Sequence, residues 1–136
     1  MNANVTPNEI PNGKAAGKAG QILLWILQVV TAVLFFMAAY PKLTGSPMMV
    51  AVFEKIGLGQ WFRYLTGSLE VLGGLLLLIP GLAFFGAILL SAVMVGAVAT
   101  HLAILGGSPT AAAVYLVLAV LIAWFRRNQV LKGGQI

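Results

Sequence analysis

The sequence has no cysteine, a single histidine and few charged residues. Without cysteine the chain has no disulfide bonds, no thiol–disulfide exchange and no thiolate metal site. His101 is the only histidine, which excludes a haem held by two imidazoles of one chain. Charged residues make up 8% of the chain, against about 25% in soluble proteins. The polar surface that a soluble domain needs is therefore missing.

Apolar residues dominate what is present. They account for 60% of the 136 residues, and the mean hydropathy is +0.99. A chain of this length forms one domain. The net charge of +5 comes from cations near the ends of apolar segments, where membrane topology and anionic lipid headgroups explain them. We therefore expect a lipid bilayer as the partner, and no nucleic acid.

Four apolar segments have the composition of membrane spans. They cover residues 21–40, 60–79, 82–105 and 110–125. The first is about 30 Å long at about 1.5 Å per residue, close to the roughly 30 Å of a hydrocarbon core. Pro41 ends or kinks it, and Pro80-Gly81 separates the second segment from the third. The sequence predicts an all-α, polytopic membrane protein with a four-transmembrane-helix bundle over residues 21–127, a flexible polar tail over 1–20 and a short tail over 128–136.

The segment between the first two spans has helix signals of its own. Ser46 is a capping residue, Pro47 suits the first helical position, and Gly57 suits a helix end. Apolar residues between them recur at helical spacing. These signals predict a short interfacial helix, with an ordinary loop as the alternative.

An even number of spans places both termini on one side of the membrane. The positive-inside rule then compares two sets of cations. The terminal side has five and the other side three: Lys14, Lys18, Arg126, Arg127 and Lys132, against Lys42, Lys55 and Arg63. The comparison favours cytoplasmic termini, and we expect the bacterial inner membrane as the location.

Glu70 lies halfway along the second span. An ionisable side chain at the centre of a span costs at least about 2.5–3.5 kcal/mol on insertion scales, so it needs a reason to be there. Its helix face also carries Thr66, Gly67 and Gly74. Because small residues let a neighbouring helix approach closely, we expect Glu70 to face the bundle.

Other polar residues are expected to form a seam with Glu70 that opens on the non-cytoplasmic side. Gln28 and Thr31 of the first span belong to it. The predicted ligand-binding residues are Lys42, Arg63, Glu70, His101 and Tyr115. Each also has a structural interpretation, such as cations reaching toward headgroups or a histidine that only packs. The sequence identifies no catalytic residue, metal site or intrinsic cofactor; a quinone or a small acid would suit the seam.

Two stretches of the sequence resemble the DoxX-like family of small membrane proteins. They read FEKIGLG at 53–59 and LTGSLEVLGGLLLL at 65–78, and the resemblance covers roughly residues 21–127. The resemblance implies a four-helix membrane protein. Some members of the family are subunits of thiosulfate:quinone oxidoreductase, and others assemble with soluble redox and stress enzymes. Animal relatives are receptor-assembly chaperones. Lys42, Glu70 and His101 match the recurrent polar positions of the family.

Three functions remain open at this point. The first is a membrane subunit of a redox-linked complex that binds a quinone or small acid and receives electrons from a soluble redox enzyme or a second subunit. The second is a non-catalytic scaffold or assembly factor. The third is a small proton-coupled transporter that works as a homo-oligomer, a dimer, through Glu70.

Overall fold

The computed structural model describes residues 9–128. Five α-helices and one π-helical turn make up this part of the chain. They are α1 (Glu9–Thr44), α2 (Pro47–Ile56), α3 (Trp61–Leu78), α4 (Ala83–Thr100), the π turn (His101–Leu105) and α5 (Thr110–Arg126). The all-α prediction is confirmed. Residues 1–8 and 129–136, which belong to the two predicted tails, lie outside the described residues.

Two helical segments are long and apolar enough to cross a membrane. They are Gly17–Thr44, within α1, and Ala83–Leu105, which combines α4 with the π turn. At about 1.5 Å per residue they measure about 42 Å and 35 Å, so each exceeds a hydrocarbon core of about 30 Å. Among the described helices, α5 is apolar but shorter, and α3 carries two ionisable residues, Arg63 and Glu70.

α1 is longer at both ends than the predicted first span. It starts at Glu9, so the described part of the predicted tail is helical, and it continues through Pro41 to Thr44. Pro41 lacks the N–H that would bond to the preceding turn. Its own carbonyl accepts hydrogen bonds from the N–H groups of Gly45 at 3.1 Å and Ser46 at 3.0 Å, which close the last turn. This extension places Lys42 on α1 itself.

The predicted helix between the first two spans is confirmed as α2. The Ser46 hydroxyl accepts a hydrogen bond from the N–H of Met49 at 3.3 Å, as an N-cap does. Gly57 ends the helix at φ 87°, a conformation that favours glycine. The buried ring of Phe53 lies 5.9 Å from that of Phe62, so α2 is fixed to the start of α3.

α3 packs between α1 and α4, and glycines set the spacing. On the α1 side, a β-carbon at Gly74 would lie 2.5 Å from the ring of Phe36. On the other side, a β-carbon at Gly86 of α4 would lie 2.8 Å from the carbonyl oxygen of Gly73. Real side chains do not approach this closely, so a larger residue at position 74 would displace the Phe36 ring, and one at position 86 would displace the α3 backbone.

The helices share one buried apolar core. α4 also packs on α5, and α1 makes a smaller contact with α5. Core residues come from all four of these helices: Ala32, Phe35, Leu77, Ala87, Leu90, Met94, Ala119, Ile122 and Ala123. Many large apolar side chains point outward instead, among them Leu23 and Met37 of α1. An apolar outer surface over an apolar core suits a protein surrounded by lipid.

Candidate functional site

The best-defined polar contact joins Lys42 of α1 to Glu70 of α3. The Lys42 ammonium donates to both carboxylate oxygens, at 3.1 and 3.3 Å. The Glu70 side chain is 1% exposed and that of Lys42 is 17% exposed. A β-carbon at Gly67, one turn before Glu70, would lie 3.2 Å from Cβ of Lys42, so this glycine lets α1 approach. Glu70 therefore faces a neighbouring helix, as expected, and forms an ion pair with it.

Arg63 lies two helical turns before Glu70 on α3 and contacts the same residue of α1. Its Nη1 donates to the main-chain carbonyl of Lys42, and its Nε donates to Oε1 of Gln60 at 2.7 Å. The guanidinium is buried and packs beside Gly45, where a β-carbon would lie 3.3 Å from Nη1. Arg63 thus caps the end of α1, whose last carbonyls have no partner within the helix.

We call Lys42, Arg63 and Glu70 the α1–α3 cluster. It contains two cations and one anion. The partners of Arg63 are neutral: a carbonyl, an amide and the ring of Tyr64, whose centroid lies 4.3 Å from the guanidinium carbon. In this cluster, the negative charge of Glu70 balances the positive charge of Lys42. The cluster therefore keeps one positive charge, which an anionic or carbonyl oxygen can complement.

His101 and Tyr115, the other two predicted ligand-binding residues, make their hydrogen bonds elsewhere. Nδ1 of His101 lies 3.0 Å from the carbonyl oxygen of Ala97, one turn earlier in its own helix. The Tyr115 hydroxyl donates to the Leu34 carbonyl at 3.4 Å, and its ring packs edge-on against Phe35 at 5.0 Å. The structure brings three of the five predicted residues together in one cluster.

A second polar cluster joins the middle of α1 to the ends of α3 and α5, and the sequence did not predict it. Gln28 is fully buried; its Nε2 donates to the Leu77 carbonyl at 2.8 Å. Its Oε1 accepts from Nε of Arg126 at 2.7 Å, and Nη1 of Arg126 donates to Oε1 of Gln21 at 3.0 Å. We call Gln21, Gln28 and Arg126 the α1–α5 cluster.

The placement of Gln28 corrects the predicted seam. Gln28 was grouped with Lys42, but the two are fourteen positions apart in the sequence, which corresponds to about 21 Å along α1. Gln28 instead bonds to the ends of α3 and α5. The seven-residue spacing of Gln21 and Gln28, which puts both amides on one helix face, was the available signal. Polar residues therefore gather at two ends of the molecule.

The comparison with known families can now be stated. The model of the DoxX-like family matches residues 26–125. This chain belongs to the DoxX-like family. The match includes the whole α1–α3 cluster as well as His101 and Tyr115, and it ends one residue before Arg126. With its two long apolar helices, this family membership identifies a membrane protein.

The name of one curated relative refers to an activity. It is a protein of Bacillus subtilis (strain 168) named "Putative oxidoreductase CatD", which is 26% identical to this DoxX-like chain over 83 residues. The aligned part covers 61% of this chain and 62% of the relative, so the chain spans less than two thirds of the relative's length. No solved structure matches the chain with statistical significance.

The described residues of this DoxX-like protein do not form a metal centre of their own. No group of three or more histidine, aspartate or glutamate side chains in that part of the chain is placed to hold a metal ion. The functional groups of the α1–α3 cluster are an ammonium, a guanidinium and a carboxylate. These groups can form hydrogen bonds, stabilise charge and transfer protons.

Proposed function

We propose that this DoxX-like protein is the membrane subunit of a redox-linked complex. Its α1–α3 cluster binds a quinone or small acid through the ligand's oxygen atoms. The observation that carries this proposal is the buried Lys42–Glu70 ion pair with the additional cation of Arg63 beside it. The printed name of the Bacillus subtilis relative, which includes the word oxidoreductase, supports the redox class.

The proposal includes a membrane arrangement. α1, α3, α4 and α5 cross the bilayer as a four-helix bundle, and α2 lies in the interface at the outer end. In support, the Arg126–Gln21 hydrogen bond joins the end of α5 to the start of the predicted first span. The Lys55 ammonium donates to the Leu105 carbonyl at 3.2 Å, which joins α2 to the π turn at the other end. The cations near both termini favour a cytoplasmic location for them, in a bacterial inner membrane.

Lys42 is the ligand-binding group in this proposal. It is the more exposed member of the ion pair, and it also donates to the Ala38 carbonyl at 3.2 Å. That carbonyl already accepts the hydrogen bond of the helix backbone. An incoming ligand oxygen can therefore replace the Ala38 bond at little cost and leave the bonds to Glu70 in place.

Reduction of a quinone requires two electrons and two protons. The electrons come from a partner protein, either a soluble redox enzyme or a second subunit, because the α1–α3 cluster contains no redox-active group. The protons come from the aqueous phase, and Glu70 is placed to relay them because it accepts a hydrogen bond from the ammonium that receives the ligand. The head of the ligand lies at Lys42, and its apolar part lies along the exposed apolar side chains of α1.

Binding of a quinone analogue to the purified chain tests the proposal. Lys42→Ala should weaken binding at least about tenfold, because a hydrogen bond to a charged group contributes about 1.5–3 kcal/mol. Lys55→Ala is the matched control, since it removes an exposed lysine at the same end of the molecule. Binding is measured on the monodisperse fraction only. Wild-type affinity in Lys42→Ala, or no binding by the wild type, would contradict the proposal.

His101→Ala distinguishes the predicted five-residue seam from the α1–α3 cluster. If the imidazole belongs to the ligand site, the His101→Ala variant should bind the quinone analogue more weakly than the wild type does. If the α1–α3 cluster alone binds the ligand, the variant should bind the quinone analogue as tightly as the wild type does, because the imidazole bonds to its own helix.

A scaffold function is the second candidate, and one observation favours it. Lys42 is bonded at two points by α3: Glu70 binds its ammonium and Arg63 binds its carbonyl. Such a cluster can hold α1 against α3 without any ligand. If the wild type binds no quinone analogue, this is the function that the geometry supports.

A further inference from the structure

We infer that the first half of α1 (residues 18–30) and the end of α5 form a binding site for an anionic phospholipid. A shallow groove of about 480 Å³ runs along the outer face of α1 at this end. Its lining residues are Lys18, Gln21, Ile22, Trp25, Ile26, Val29 and Val30. The site lies at the opposite end of the molecule from the α1–α3 cluster, so the inference does not depend on the proposed redox function.

The charges around the groove are complementary to a phosphate group. Lys18 and Arg127 are exposed, and Arg126, next to Arg127 in the chain, bonds to Gln21 and Gln28 of α1. Among the side chains that the structure describes, the acidic ones are Glu54 and Glu70, and both belong to the other half of the molecule. Near an anionic membrane surface each lysine or arginine contributes about fivefold in affinity.

Aromatic rings and amides hold these cations in place. The guanidinium carbon of Arg126 lies 5.7 Å from the ring centroid of Trp25, which lines the groove, and Arg126 also bonds to Gln21. The guanidinium carbon of Arg127 lies 4.0 Å from the ring centroid of Trp124. Tryptophan at the headgroup level is typical of membrane interfaces. The cations are thus fixed at the depth where a lipid phosphate lies.

The apolar part of the groove spans most of one leaflet. From Ile22 to Val30 it extends about 12 Å at about 1.5 Å per residue, compared with about 15 Å for half of a hydrocarbon core. Ile22, Ile26 and Val29 are 55%, 54% and 45% exposed, so the other described helices leave this face uncovered. An acyl chain along these residues would have its phosphate beside Lys18 and Arg127.

The test is a lipid titration of the full chain in detergent, with bound lipid counted by native mass spectrometry. Phosphatidylglycerol should bind more tightly than phosphatidylcholine. Lys18→Gln and Arg127→Gln should each weaken phosphatidylglycerol binding about fivefold and leave phosphatidylcholine binding unchanged. Lys55→Gln, which removes one positive charge at the other end, should change neither.

A second pair of variants tests the groove itself. Ile26→Trp fills it and should reduce phosphatidylglycerol binding, whereas Met37→Trp enlarges an exposed side chain of α1 outside the groove and should not. Inorganic phosphate alone should not raise the melting temperature. Equal affinity for the two lipids, or an equal loss in Lys18→Gln and Lys55→Gln, would overturn the inference. So would an equal stabilisation by inorganic phosphate and by the lipid.

Discussion

The Lys42–Glu70 ion pair allows a quantitative test of what holds α1 to α3. Lys42→Met keeps a long side chain but removes the ammonium. The Glu70 carboxylate, 1% exposed, then loses its cation while the protein still shields it from solvent. Breaking a buried ion pair from one side costs about 3–5 kcal/mol, so we expect a loss of unfolding free energy of about this size.

The double variant separates the ion pair from the general effect of the substitutions. Glu70→Gln alone removes the negative charge but keeps an oxygen that accepts from Lys42, so its cost should be about 1.5–3 kcal/mol. With both changes present, neither position 42 nor position 70 carries a charge. We expect Lys42→Met/Glu70→Gln to be less destabilised than the sum of the two single variants by about 2 kcal/mol.

Equilibrium unfolding in mixed micelles measures these differences. Lys55→Met is the control, because it removes an exposed lysine and should stay within about 0.5 kcal/mol of the wild type. Two outcomes would refute the reasoning: a loss below about 1 kcal/mol for Lys42→Met, or simple additivity of the two single variants.

Two further predictions concern packing and topology. Gly86→Val should lower the unfolding free energy by about 1–3 kcal/mol, because its β-carbon would lie 2.8 Å from the Gly73 carbonyl oxygen. Gly96→Val is the control in the same unfolding assay: nothing lies within 4 Å of a β-carbon there, so the change should be tolerated. In whole cells, an impermeant thiol reagent should label Gly107→Cys and spare Gly134→Cys, since the chain has no other cysteine. Equal labelling of the two positions would contradict the four-span arrangement with its termini inside.

The elements set by local chemistry could be predicted from the sequence. α2 is the clearest example, because Ser46, Pro47 and Gly57 each act on the backbone within one turn of their own position. The small residues beside Glu70 likewise predicted that this face meets another helix. Pro41 does not end the helix, as one of its two predicted roles required, because the hydrogen bonds that continue the helix past it come from residues further on.

The contacts between distant residues could not be predicted in the same way. Gln28 and Arg126 are 98 residues apart, and their bond depends on how α5 is placed against α1. Nothing in the composition of either span gives that placement. The same applies to His101, whose imidazole points to its own helix at the start of a π turn.

The separation of Lys42 and Glu70 along the chain has a consequence for biogenesis. The two residues are 28 positions apart, so Lys42 leaves the ribosome about 1.4–5.6 s before Glu70 at a synthesis rate of about 5–20 residues per second. During that interval the ammonium has the Ala38 carbonyl of its own helix and otherwise depends on water, lipid headgroups or the insertion machinery, and its position near the end of α1 permits this. In the proposed four-span arrangement the first and second spans enter the bilayer in sequence, and the ion pair locks them together only after the second has arrived.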